Sequence, residues 1–246
     1  MNTPGRDEVE QREVKKQVLR WRGVANPATL QDSAYRRIIN ASARAIAVRG
    51  SFVIVLAGGN TPRNIYELLR NAMTDWSRWD VWFGDERCAP PDDPQRNSAM
   101  AHDTWLTHVP IPQDRIHVIP AELGAKAAAA DYIDSLRNVG QFDLVLLGLG
   151  EDGHTASLFP DHDWGTDVNA PDALTILDAP KPPPQRVSMS AARLSRAREV
   201  LFLIDGESKR DAVTRWRAGA DIPARAIRPF AGVDALTEQS LLMSPE

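Results

Sequence analysis

Apolar residues recur every three or four positions from Leu30 through Ala34, Ile38, Ala41 and Ala45 to Val48. That spacing lines them up in one stripe and predicts an amphipathic helix. Asn26 suits its N-cap, Pro27 its first position, and Gly50 its C-terminal stop. Upstream, residues 1–12 read as a frayed polar arm. Val14 to Arg22 reads as a first strand, with Val14, Val18 and Leu19 as its apolar members. Phe52 to Ala57 is a continuous apolar run ending in Gly58-Gly59, the pattern of a strand buried on both faces as in a parallel sheet. Thr61-Pro62 opens a helix to about Arg70. Trp79–Phe83 and Ile116–Ile119 are predicted as short strands, Leu123–Val139 as an Ala-rich helix, and Phe142–Leu147 as a buried strand ending in Gly148. Val187–Met189 and Val200–Ile204 follow as strands, Glu207–Ala218 as a helix, and Ala226-Ile227 as a last short strand.

Strand and helix alternate throughout. The expected class is therefore α/β, with a Rossmann-like, open, mainly parallel sheet and helices on both faces. No internal repeat is visible. The proline-rich loops Ala89–Arg96 and Ala179–Gln185 are neither long nor polar enough to be domain linkers, so residues 1–246 read as a single domain.

Composition narrows the function. A formal charge of −4 gives no support for a nucleic-acid partner, which asks for a basic excess. One cysteine, Cys88, excludes an internal disulfide and any zinc site built on several thiolates. No apolar run approaches the length of a membrane span, and the polar start lacks the apolar core of a secretory signal. No membrane association is expected, and the cytoplasm is the default compartment.

In an open α/β sheet, ligands sit beyond the carboxyl ends of the strands. That rule makes candidates of Gly58–Pro62, Gly84–Arg87, Gly148–Pro160 and Asp205–Lys209. In the first, two glycines allow close backbone approach, and a helix start presents free N–H groups and a positive dipole end. Phosphate suits that arrangement, although a plain capped turn would look the same. In the second, Asp85, Glu86 and Arg87 are either a solvated turn or a carboxylate for proton or hydroxyl work beside an arginine for an anion. In the third, Gly148, Gly150 and Gly153 match the G-x-G-x-x-G dinucleotide fingerprint. Pro160 leaves little room for the long helix that fingerprint requires, and Asp172–Asp178 runs straight into a proline cluster. The glycines instead bring His154 close to a small ligand, as a general base or acid. No G-x-S-x-G elbow exists, so Ser157 is expected only in local hydrogen bonds. Asp161, His162 and Asp163 are weak candidates as metal ligands. Arg87, Arg186 and Lys209 lie near strand ends, where a cation cluster would hold an anionic substrate against the overall charge.

Taken together, the segments resemble the 6-phosphogluconolactonase family, related to glucosamine-6-phosphate deaminases. The matching runs are Ala57-Gly58-Gly59-Asn60-Thr61-Pro62, Gly84-Asp85-Glu86-Arg87 and Gly148 through Pro160, followed by Pro182-Pro183 with Arg186 and by Gly206-Glu207-Ser208-Lys209. They occur in family order from about Val14 to Pro229. The run Asp152-Gly153-His154-Thr155-Ala156-Ser157-Leu158-Phe159-Pro160 points to the lactonase branch. The resemblance implies hydrolysis of 6-phosphoglucono-δ-lactone to 6-phosphogluconate, with no redox cofactor and no metal. It implies His154 as general base and Asp85 as its partner or as a holder of a substrate hydroxyl. Phosphate would bind at Gly58, Gly59, Asn60 and Thr61, with Lys209 and an arginine as counter-charges. Arg87 or Arg186 would face the oxyanion, and Asp152 and Gly153 would belong to the substrate site. The implied partner is a small sugar-phosphate lactone, and the assembly a monomer or small homo-oligomer. Alternatives are a sugar-phosphate isomerase or deaminase using Asp85 for proton abstraction, a non-catalytic sugar-phosphate binder, and a nicotinamide dehydrogenase. Three departures stand out. Ala57 and Asn60 replace serines of the usual first loop. Arg96-Asn97 replaces a Ser-Asn pair and is expected to add a charge near the entrance. A family segment containing tryptophan is not visible around Gly232 to Leu242.

Overall fold

The computed structural model describes residues 16–243; Val14 and the proposed arm of residues 1–12 lie outside them. Seven strands form one wholly parallel sheet. In chain order these are β1 (Leu19–Val24), β2 (Phe52–Leu56), β3 (Trp79–Phe83), β5 (Ile116–His117), β6 (Phe142–Gly148), β9 (Ala197–Ile204) and β10 (Val233–Glu238). Their spatial order is β1-β10-β9-β6-β2-β3-β5. A second, antiparallel sheet joins β4 (Asp85–Arg87), β8 (Arg186–Met189) and β7 (Ala173–Ile176) in the order β4-β8-β7. The helices are α1 (Pro27–Arg49), α2 (Asn60–Leu69), α3 (Asn97–Thr104), α4 (Ala125–Leu136), α5 (Ala191–Ser195), α6 (Arg210–Arg217) and α7 (Pro223–Ala226).

The first helix follows its pattern closely. The Asn26 side chain accepts the Thr29 N–H at 2.9 Å, and Gly50 closes the helix at φ 78°. Leu30, Ala34, Ile38, Ala41 and Ala45 are buried. Val48 is 75% exposed, because the last turn of α1 runs past the core its stripe packs against.

Three expectations are corrected. Ala226-Ile227 is not a strand: Pro223 starts the short α7 there, and the final strand is β10, which pairs in parallel with both β1 and β9. The first strand begins at Leu19, and Val18 is exposed. The predicted strand at Ile116–Ile119 shortens to two residues.

The strand order positions the site. From β2 the chain passes through α2 to β3 on one side, whereas β6 and β9 extend the sheet on the other. Neighbouring strands whose connections diverge leave a crevice above their carboxyl ends. Here that crevice opens above β2 and β6, which pair at Ile54 with Leu144 and Val55 with Val145. Two buried tyrosines secure the approaches. The Tyr66 hydroxyl, on α2, donates to the Ala57 carbonyl at 2.9 Å and accepts the Ala57 N–H at 3.1 Å. Tyr132, on α4, does the same for Phe83 at the end of β3. Burial pushes both phenols far above their ordinary pKa, so they stay protonated donors.

Candidate active site

The crevice is a cleft of about 350 Å3. It is lined by Gly58 and Gly59 after β2, by Gly148 to Gly150 after β6, and by His154 and Phe159. Gly59 precedes α2 at φ 105°, a conformation that side-chain-bearing residues rarely adopt, and no side chain caps that helix. The first N–H groups of α2 are thereby left for a ligand.

His154 sits in a tight turn after β6. Its backbone N–H donates to Asp152 Oδ1 at 3.0 Å, and its Nδ1 lies 2.5 Å from the same oxygen. A carboxylate against Nδ1 fixes the proton on that nitrogen and leaves Nε2 as the basic one. The imidazole lies flat against Gly150, where a Cβ would come within 2.0 Å of Nδ1, so only glycine fits beneath the ring. The Phe159 ring stands 4.9 Å from it, centre to centre. Burial pulls the His154 pKa below its ordinary value, and Asp152 and then Asp85 counter that pull. Burial raises Asp152, but the backbone N–H and the imidazole of His154 outweigh it and hold its carboxyl below the usual range.

Asp85 ends the crossing from β3 into β4 and is buried. Its Oδ2 accepts the Ser157 hydroxyl at 2.6 Å, and its Oδ1 accepts Asn97 Nδ2 at 3.1 Å. The imidazole's hydrogen-bond partner is thus Asp152, whereas Asp85 is held by other donors. Ser157, expected only in local bonds, reaches a carboxylate 72 residues away. Arg96, expected near the entrance, is buried beside Glu86 instead, where it offsets that buried carboxylate, and it reaches the exposed Glu122 on its other side.

Four cations line the cleft: Arg87, Lys181, Arg186 and Lys209. Arg186 is buried, donates to the carbonyls of Pro183 and Lys181 at 3.1 and 2.8 Å, and has its guanidinium 5.5 Å from the Phe159 ring centre. Burial lowers its pKa, opposed by Asp85. Lys181 faces Glu151 at 3.9 Å. Four predicted residues stand back from the cleft walls. Asn60 is exposed at the start of α2, and the Thr61 hydroxyl donates to Asp205 at 3.5 Å. Asp152 is behind the imidazole, and Gly153 packs on Ile222. Lys181 is a cleft residue that sequence reasoning missed; Asn97 and Phe159 also line the cleft and stand in segments the sequence singled out, but without a role assigned to them. His162 bonds the Pro160 carbonyl and Asp178, and no group of three acids, histidines or cysteines is placed to hold a metal among the described residues.

The structure is thus a parallel α/β sheet with a histidine–aspartate pair beside a cation-lined cleft at its switch point. The profile of the family described as glucosamine-6-phosphate isomerases/6-phosphogluconolactonase matches residues 25–236, and the chain belongs to that family. The 6-phosphogluconolactonase of Streptomyces coelicolor is 38% identical over 210 residues, covering 78% of this chain and 80% of that protein. That of Synechocystis sp. is 38% identical over 214 residues, covering 80% and 85%. The crystal structure of 6-phosphogluconolactonase from Thermotoga maritima superposes with a TM-score of 0.82 at 27% identity, over 91% of this chain and all of that one. A monomeric glucosamine-6-phosphate deaminase, 20% identical with a TM-score of 0.77, shares the fold. The scaffold alone therefore does not separate the two chemistries.

Proposed function

We propose that this chain hydrolyses 6-phospho-D-glucono-1,5-lactone to 6-phospho-D-gluconate, the oxidative-branch step of the pentose phosphate pathway. The observation that carries the reading is the Asp152–His154 pair in a cleft ringed by cations. Curated relatives at 38% identity named as 6-phosphogluconolactonases support it.

His154 Nε2 accepts a proton from water as the water oxygen bonds C1 of the lactone. The carbonyl electrons move onto oxygen, and the resulting oxyanion faces Arg87 or Arg186. When the carbonyl re-forms, the bond from C1 to the ring oxygen breaks, and the imidazolium returns its proton to that oxygen. The acid product then ionises into solvent. Asp152 holds the imidazole and stabilises its charged form, and Asp85 receives a substrate hydroxyl. The phosphate lies against the Gly58–Thr61 turn with Lys209 as counter-charge, so its binding orients C1 toward the base. The protein acts in the cytoplasm on this small molecule, as a monomer or small homo-oligomer.

The test is the initial rate of opening of freshly made lactone above its spontaneous rate. His154→Ala lowers kcat by about 10²- to 10⁴-fold while product binding survives. Ammonia release from glucosamine 6-phosphate, or binding without turnover, would overturn the reading.

A further inference from the structure

Glu86 is a fully buried carboxylate that takes no part in the chemistry above. It is nevertheless densely bonded. Oε1 accepts the N–H groups of Arg87 at 2.9 Å and Asn97 at 2.7 Å, and Oε2 accepts that of Ser98 at 2.8 Å. Asn97 and Ser98 are the first two residues of α3, and the residue before them, Arg96, contributes no side-chain cap. A carboxylate from β4 thus caps a helix that follows it in the chain. Arg96 supplies the counter-charge. It is 2% exposed, with Nε 3.5 Å from Glu86 and NH1 2.8 Å from Glu122, and it donates to the Ile119 carbonyl at 2.8 Å.

The capped residue is the one that reaches the site. Asn97 Nδ2 donates to the Asp85 carbonyl at 2.9 Å and to its carboxylate at 3.1 Å. Its Oδ1 lies so close to Gly58 that a Cβ there would come within 1.9 Å. One amide therefore spans the gap between the double-glycine turn and Asp85. Its place is set by where α3 begins, and that point is set by Glu86.

We infer that Glu86 and Arg96 are positioning residues: clamped together, they fix the start of α3 so that Asn97 holds the Asp85 carboxylate toward the substrate. The inference rests on the lactonase reading, in which Asp85 meets a substrate hydroxyl. A buried carboxylate bonded by three N–H groups tolerates little displacement, because any lost bond leaves a desolvated charge. The clamp thereby turns a helix start into a fixed reference for a group in another element.

The experiment compares Glu86→Gln, Arg96→Ser and Asn97→Ala, alone and in pairs, by lactone opening, with circular dichroism to confirm folding. Glu86→Gln puts an NH2 against N–H donors and so displaces α3. Its kcat should fall about 10- to 100-fold, as Asn97→Ala does, with KM changed less. Arg96→Ser keeps all three N–H bonds to Glu86 and leaves Glu122, already exposed, in solvent, which makes it the milder of the two clamp variants. It should lower kcat about 3- to 10-fold. Combined with Asn97→Ala, neither should cost more than about twofold beyond Asn97→Ala alone, since all act through one amide. Folded Arg96→Ser protein with a lower Tm and wild-type kcat overturns the inference, as do losses that multiply in the pairs. If wild-type protein does not open the lactone at all, the functional reading fails instead.

Discussion

The imidazole of His154 is set between opposing influences. Burial lowers its basicity, and the Asp152 carboxylate restores part of it. In the proposed role of general base it would work when neutral, and the acid limb of kcat/KM would report its pKa. That limb should fall below pH 6.5, the ordinary imidazole value. Asp152→Asn keeps a hydrogen-bond acceptor but removes the charge that opposes burial. The limb should move to still lower pH while kcat drops, because the imidazolium loses its counter-ion; a rate profile from pH 4 to 9 checks both. Gly150→Ala attacks the same ring from below. A methyl 2.0 Å from Nδ1 must tilt the imidazole off its partner, so kcat should fall about 100-fold with product affinity retained. At this scale the sequence was readable for His154 and Asp85, which stand in charged or glycine-rich strand ends. It was less so for their partners. Asp152 stands two residues before the histidine, a spacing suited to a side-chain turn, and that signal could have paired them. Ser157 and Asn97 meet Asp85 across long stretches of chain, and no local pattern announces such contacts.

β2 was legible as a continuous apolar run, and β3 and β6 because a single aspartate at the second position, Asp80 or Asp143, leaves a run of apolar residues behind it. The elements around the cleft were not. β4 is Asp-Glu-Arg, and its buried charges are satisfied by groups distant in sequence, so it reads as a turn. β10 has only Ala235 and Leu236 between Asp234 and Thr237, too short an apolar run to read, and in the fold the Asp234 carboxylate is bonded to Arg20 and Arg37. α3 has no apolar stripe, since it buries Asn97, Ser98 and Thr104 beside Met100 and Ala101. The tyrosine bonds are the element-scale feature most open to test. Tyr66→Phe removes one hydroxyl and leaves both polar groups of Ala57 buried without that partner. The cost should be about 1–3 kcal/mol in denaturant unfolding. KM should rise with it, because the double-glycine turn loses its support; unchanged stability would show that water fills the gap.

For the whole molecule, the formal charge is negative although four cations converge on one cleft. The local field, not the net charge, meets the substrate. KM for the phosphorylated lactone should therefore climb with ionic strength. Lys209→Ala should raise KM several-fold while flattening that climb, and uncharged gluconolactone should show no salt dependence; steady-state rates in a sodium chloride series measure all three. The divergence of the chain on either side of β2 and β6 has a further consequence. The two banks of the crevice are served by separate stretches of polypeptide that depart in opposite directions. A loop lengthened on one bank leaves the other's backbone untouched. The double-glycine turn above β2 and the histidine turn after β6 can thus be altered one at a time without rebuilding the sheet between them.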